Sequence, residues 1–389
     1  MGPGGPNMGH AHTPYRAPTT LSEVSMFRHH FNRASALVAP LAMGALLACQ
    51  GSAWAWGHPG HQLVGSLADE LLVGTHAAKR VKAILGPQVK SLQTAAVWAD
   101  CVKEVDRLAG GAFHYKDNGP FHSPVCAPFE TPPERKRMEA YAMRNWTNCP
   151  GDDGKQPTQC HKQFHYANVA LQHSSYERGW EGTSNEDVVA AIQAAIGVLQ
   201  NGPPAAAPFS IKDKKEALLM LAHFMGDLHQ PLHVGAAYLQ DDGSLVNPDD
   251  PATPLQATMQ TRGGNKLEMG QSNLHSDWDE IPTNITLNGL KTGPGQKRRQ
   301  ALIAAARAQE ATAGELAQWP VAWAGDTVVT SRAAMAGVRF SRKGVLKDGD
   351  WVVQFNDFTG YEQAKDGVQQ QQLVKAAAHM AQLLKAIWP

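Results

Sequence analysis

The sequence predicts an all-α protein, a single mainly helical domain with one small hairpin near residues 337–355. Two observations carry that expectation. Apolar residues recur at helical spacing in segment after segment, as in Leu63, Val64, Leu67, Leu71 and Leu72. Nowhere does a strand pattern alternate with a helix pattern, so a parallel sheet of crossover units is excluded.

Helices are expected at Gly60–Val73, Ala77–Leu85 (stopped by Gly86-Pro87), Val89–Val105, Pro133–Asn145 and Asn185–Leu199. Others are expected at Ser272–Glu280, Lys297–Gln318, Trp319–Ala336 and Tyr361–Ile387. The centre of the chain is Glu216–Gly235. Ala217 to Met225 is apolar on every side, which describes a helix buried all round. Pro231 ends it, and His233 falls in the turn beyond. Gly337–Phe355 alternates like a hairpin, and residues 236–262 form a long polar loop.

The chain has 389 residues, 43% of them hydrophobic, with 35 basic and 35 acidic side chains. A zero net charge leaves no broad basic surface for duplex DNA or for a membrane. Residues 1–55 read as a leader. Arg28, His29, His30 and Arg33 precede the apolar Ser35–Leu47, and Ala53-Trp54-Ala55 fits a small-x-small cleavage site. Cleavage after Ala55 would make Trp56 the first residue of a secreted or periplasmic protein. A lipid-attachment site at Leu46–Cys49 is the competing reading. Four cysteines follow the leader, Cys101, Cys126, Cys149 and Cys160, and an even number in an exported chain points to two disulfides of open connectivity.

Histidine and aspartate gather where the core should be. His223 and Asp227 are four apart on the central helix, as are His275 and Asp279 farther on, so each pair shares a helix face. With His61, Asp100, His165 and His233 these make eight donor side chains, too many for one tetrahedral ion. Imidazole and carboxylate without thiolate suit catalytic zinc, so a site of several metal ions is expected.

These residues stand in the motifs WGHPGH (56–61), WAD (98–100), FHY (164–166), HFMGDLHQPLH (223–233), GGN (263–265) and NLHSDWD (273–279). In order and spacing the motifs resemble those of the zinc-dependent single-strand-specific nucleases of the S1/P1 family. The resemblance implies a catalytic helical domain over 56–389 around three zinc ions. Asp100, His165, His223 and Asp227 would hold the first, and His233, His275 and Asp279 the second. The third would take the amino group and carbonyl of Trp56, with His61 and the shared Asp227. A second candidate, His114 in Phe113–Asp117, also resembles the pattern. His165 is preferred because a helix, Asn185–Leu199, separates it from His223 as in the family. Residues 104–160 then become an insertion bearing most of the cysteines.

The resemblance further implies hydrolysis of single-stranded DNA and RNA to 5′-phosphorylated products, and removal of 3′-phosphates from nucleotides; a monomer is expected, and no membrane partner, since no stretch of about 20 apolar residues follows residue 56. Asp100 would also orient the attacking water, Lys103 and Asn265 would contact phosphate, and Tyr166 and Asn168 would grip an unstacked base. Asn168 departs from the family's usual Asp, so weak base preference is expected. A zinc phospholipase C and a non-catalytic zinc-binding protein are the alternative readings.

Overall fold

In the computed structural model, residues 56–119, 122–149, 158–254, 259–342 and 351–389 are described. The expected leader and cleavage site, part of the 236–262 loop and the tip of the hairpin lie outside them. Thirteen α-helices are present among the described residues. In chain order they are α1 (His58–Leu72), α2 (His76–Val89), α3 (Leu92–Ala95), α4 (Trp98–Val102), α5 (Pro132–Arg144), α6 (Cys160–Gln163) and α7 (Val188–Leu199). There follow α8 (Lys214–Asp227), α9 (Pro231–Val234), α10 (Leu274–Asp279), α11 (Gly293–Arg307), α12 (Trp319–Ser331) and α13 (Phe358–Ile387).

The helix that is apolar all round, α8, occupies the middle. Every residue from Glu216 to Asp227 is buried, and α1, α2, α3, α4, α7 and α13 pack around it. Asp213 starts α8 by accepting a hydrogen bond from the Glu216 amide at 2.9 Å, a cap worth about 1 kcal/mol. The buried Glu216 carboxylate is met by Arg144 at 2.5 Å and by the Lys212 amide at 2.8 Å. Its charge is therefore paired, as burial demands.

Three helices differ from the sequence expectation. The run expected over Val89–Val105 is broken into α3 and α4. The break leaves the Ala96 carbonyl outside the helical ladder, where it accepts from His223 Nδ1 at 2.7 Å. The helix expected over Lys297–Gln318 stops at Arg307, with only a 3-10 turn at Leu316–Gln318, and α12 gives way to another 3-10 turn at Arg332–Met335. His233 lies in the one-turn α9, which begins at Pro231 because a proline fits the first helical position.

The strands are short: β1 (Val105–Arg107), β2 (Phe113–Tyr115), β3 (Asn148–Cys149), β4 (Thr158–Gln159), β5 (Val169–Ala170), β6 (Gly235–Ala236), β7 (Leu267–Met269), β8 (Ser272–Asn273), β9 (Val338–Arg342) and β10 (Trp351–Phe355). The expected hairpin is the antiparallel pair β9–β10. It extends into a sheet of order β8-β7-β10-β9, with β7 and β10 parallel. Strands of two or three residues are too short to show an alternation, so β7 and β8 leave no trace in the sequence pattern.

Two disulfides join Cys101 to Cys126 and Cys149 to Cys160. The first ties α4 to a 3-10 turn at Pro124–Phe129, the second ties β3 to α6. Loops of this length lose about 3 kcal/mol of unfolded-chain entropy on closure. No helix among the described residues is long and apolar enough to cross a membrane.

Candidate metal centre

The donors converge because α8 presents His223 and Asp227 to its neighbours on one face. Asp227 Oδ2 lies 3.0 Å from His165 Nδ1 and 3.2 Å from His223 Nε2. Its Oδ1 lies 3.3 Å from Nε2 of His61, which α1 supplies. Asp100, on α4, lies with Oδ1 3.6 Å from His223 Nε2. The His61 and His223 rings stack at 3.9 Å. Such closeness of α1 to α8 requires Gly226, since a Cβ there would fall 2.6 Å from His61 Nδ1.

A second cluster adjoins the first. His233 Nε2 and His275 Nε2 are 3.1 Å apart, and Asp279 Oδ2 is 3.6 Å from His275 Nε2. The two clusters are locked together through the backbone. His233 Nδ1 donates to the His165 carbonyl at 2.8 Å, and the Ala167 amide donates to the His233 carbonyl at 2.8 Å.

Hydrogen bonds fix the tautomers. Backbone carbonyls only accept, so His223, His233 and His275 each carry a proton on Nδ1, donated to Ala96, His165 and Gly263 respectively. Their Nε2 atoms are left facing the clusters, and in His233 and His275, whose neutral form burial favours, these atoms carry lone pairs. For His233 and His275 this aims two lone pairs at each other across 3.1 Å, an arrangement that calls for a cation between them. Gly263 reaches His275 by a left-handed turn in which Arg262, Gly263 and Gly264 have φ of 51, 55 and 89°. A Cβ on Gly263 would strike the Leu232 carbonyl at 2.0 Å.

Electrostatics agree. Burial disfavours the Asp100 and Asp227 carboxylates, but Lys103 and His223 at the one, and His223, His165 and His61 at the other, outweigh it and hold both below the ordinary range. Burial pushes His165 and His275 down to about 3 and His233 to about 4, the neutral form that ligates. Asp279 is raised well above its ordinary value by burial, against which Gln230 donates to it at 2.6 Å.

In each of three sets the donor atoms lie within 4.8 Å of one another: His61, Asp100 and His223; His165, His223 and Asp227; His233, His275 and Asp279. Buried atoms with no hydrogen-bond partner include both His61 nitrogens, Asp100 Oδ2, Asp227 Oδ1 and Asp279 Oδ2. Ligands at the zinc–nitrogen distance stand about 3.3 Å apart along a tetrahedral edge, close to the spacings above. The residues fit metal ions.

The remaining candidates divide between cleft and surface. Lys103 donates to Asp100 Oδ1 at 2.7 Å. Together with Asn265, Tyr166, Asn168, His165, His233 and His275 it lines a cleft of about 360 Å³. Trp56 is wholly buried, and the next amide, Gly57 N, donates to the Asp279 carbonyl at 2.9 Å. His114 is on β2, its side chain 58% exposed and 3.8 Å from Glu139. Sequence reasoning missed Lys162 and Arg262, which line the cleft, and Gln230, which holds Asp279. Gln230 had a visible signal, its place inside the HQPLH stretch.

A helical protein with buried His/Asp clusters fit for metal, beside a cleft that carries Lys103 and Asn265, is the class these features define. The chain matches the S1/P1 Nuclease family over residues 56–149 and 142–389, and it belongs to that family. It is similar to Endonuclease 2 of Arabidopsis thaliana, 28% identical over 229 residues, 58% of this chain and 54% of that protein. It is also similar to Endonuclease 1 of the same plant, 31% identical over 137 residues, 33% of this chain and 36% of that protein. The matched regions thus span about half or less of these relatives.

Proposed function

We propose that the protein is a zinc-dependent endonuclease, cleaving single-stranded DNA and RNA to 5′-phosphorylated products and removing 3′-phosphates from nucleotides. The observation that carries this reading is the cleft, which sets Lys103 and Asn265 beside His233 and His275, with Tyr166 and Asn168 in the same wall. Asp100, His165, His223 and Asp227 would hold a first zinc, and His233, His275 and Asp279 a second. The Trp56 amine and carbonyl, with His61 and Asp227, would hold a third. Zinc so held supplies a Lewis acid that activates water and stabilises the charge of a departing oxygen.

The chain's own groups do the rest. Asp100, whose Oδ2 accepts no hydrogen bond from the described residues, accepts from and orients the attacking water. The Lys103 ammonium offsets the charge that grows on the phosphoryl oxygens. Asn265 is held over the cleft by donating its side-chain amide to the Arg262 carbonyl at 2.9 Å, and its second N–H remains for phosphate. Tyr166 stacks on a base, which must be unstacked from its strand to reach it. Asn168 both donates and accepts, so no base edge is excluded.

The test is hydrolysis of four homopolymeric single strands and a duplex, before and after chelation. Comparable rates on the four strands, little on the duplex, loss on chelation and return with zinc are expected. Equal rates on duplex and single strand, or undiminished rates without metal, would sink the reading.

Cleavage after Ala55 and release as a secreted or periplasmic monomer complete the proposal. The two disulfides fit an oxidising compartment. Trp56 itself has φ 25°, a strained value for a bulky residue, and a free amine at Trp56 would have no such torsion to satisfy. A protein carrying one extra Met before Trp56 should bind about one zinc fewer and turn over at least tenfold more slowly, a loss in keeping with several kcal/mol of metal stabilisation. Equal zinc content and rate in both forms would remove Trp56 from the site.

A further inference from the structure

The disulfide-bearing segment 104–160 ends in α6, which delivers a cation to the cleft. Cys160, bonded to Cys149, opens this turn. The Cys160 and His161 amides donate to the Thr147 and Asn145 carbonyls at 3.0 and 3.3 Å. The His161 ring stacks on Trp146 at 5.5 Å. A covalent bond, two hydrogen bonds and a ring contact thus fix the backbone of α6 against the end of α5.

Lys162 follows and lines the same cleft as Lys103, Arg262, Asn265 and Tyr166. It is partly buried and forms no hydrogen bond or ion pair with any described residue. Lys103, by contrast, spends one of its three donors on Asp100. Burial pulls the Lys162 ammonium below the ordinary lysine range, with Lys103 adding repulsion and Asp106 and Glu104 opposing. A partly desolvated cation that Asp106 and Glu104 offset only in part gains from the arrival of an anion beside it. The scissile phosphate already has Lys103 and Asn265. A strand brings further phosphates, and Lys162 offers what the next one needs.

We propose that Lys162 binds a phosphate adjoining the scissile one, so that the cleft favours polynucleotide strands over substrates with a single phosphate. The proposal rests on the reading of the cleft as a phosphodiesterase site and adds a strand-positioning residue to it. A flanking contact of this kind acts through binding, so its loss belongs in KM rather than kcat.

The experiment compares the zinc-loaded protein with Lys162→Ala and Lys162→Arg on two substrates, a single-stranded nonamer and a dinucleoside monophosphate. The ratio of their kcat/KM values should fall about tenfold in Lys162→Ala, the size of one charge-assisted hydrogen bond. The change should lie in KM, and Lys162→Arg should keep most of the ratio. The slope of log kcat/KM for the nonamer against log salt should become shallower by about 0.7, one phosphate contact on a single strand. An unchanged ratio, an unchanged salt slope, or a misfolded Lys162→Ala together with an altered kcat in Lys162→Arg would each overturn the proposal. If the unaltered protein cleaves neither substrate, the phosphodiesterase reading fails first and the proposal falls with it.

Discussion

Replacing Asp227 by Asn is expected to lower the hydrolytic rate by about 10³-fold or more, since several kcal/mol of metal-borne stabilisation are at stake and each 1.36 kcal/mol is tenfold. At least one zinc per chain should be lost as well. The shape of the side chain is kept, so packing in α8 is not the cause. What changes is charge. Asp227 is wholly buried, and its two oxygens lie within 3.3 Å of nitrogens on His61, His165 and His223. An amide cannot neutralise a cation, and only its oxygen, one atom where the carboxylate has two, could still ligate one. Because Asp227 stands between His61 on one side and His165 and His223 on the other, its loss reaches two clusters together. Metal analysis beside the rate measurement decides the matter. A normal rate with full zinc content would show that Asp227 is a buried structural carboxylate.

The fold class, the central helix and most helix boundaries were legible because long amphipathic and all-apolar runs repeat a period that short-range physics imposes. The donor residues were legible for a related reason. His223 with Asp227, and His275 with Asp279, share a helix face by their spacing alone, and each pair does meet, at 3.2 and 3.6 Å. What stayed hidden depends on chain segments distant in sequence. The break between α3 and α4 has no proline or glycine to announce it, and its sense appears only when the freed Ala96 carbonyl meets His223. Strand β7 forms because β10 lies alongside it and β8 because β7 does, not because two or three residues prefer extension. Arg262 and Lys162 reach one cleft from opposite flanks of the histidine motifs, and a linear reading gives neither a reason to be singled out.

The contrast between two histidines makes the sharpest test of the first cluster. His165→Ala is expected to reduce kcat/KM by about 10³-fold with loss of zinc, whereas His114→Ala should stay within about twofold of the unaltered protein, as surface substitutions do. Both residues follow a phenylalanine and precede a tyrosine, so their immediate sequence does not separate them. Their surroundings do. His165 is buried, 3.0 Å from both Asp227 and His223, and packed edge-on against Phe224. Its carbonyl also accepts from His233, which orients a histidine of the second cluster without using the His165 ring. The alanine variant keeps that carbonyl, so the second cluster should still bind metal and the protein should keep its helical circular dichroism. His114 lies on β2 opposite Asp106, its ring largely in solvent. The measurement is zinc per chain and kcat/KM for both variants on one single-stranded substrate. Should His114→Ala be the inactive one, the first cluster would have to be rebuilt around residues 113–117, and the cleft lined by Tyr166 and Asn168 would lose its claim on the base.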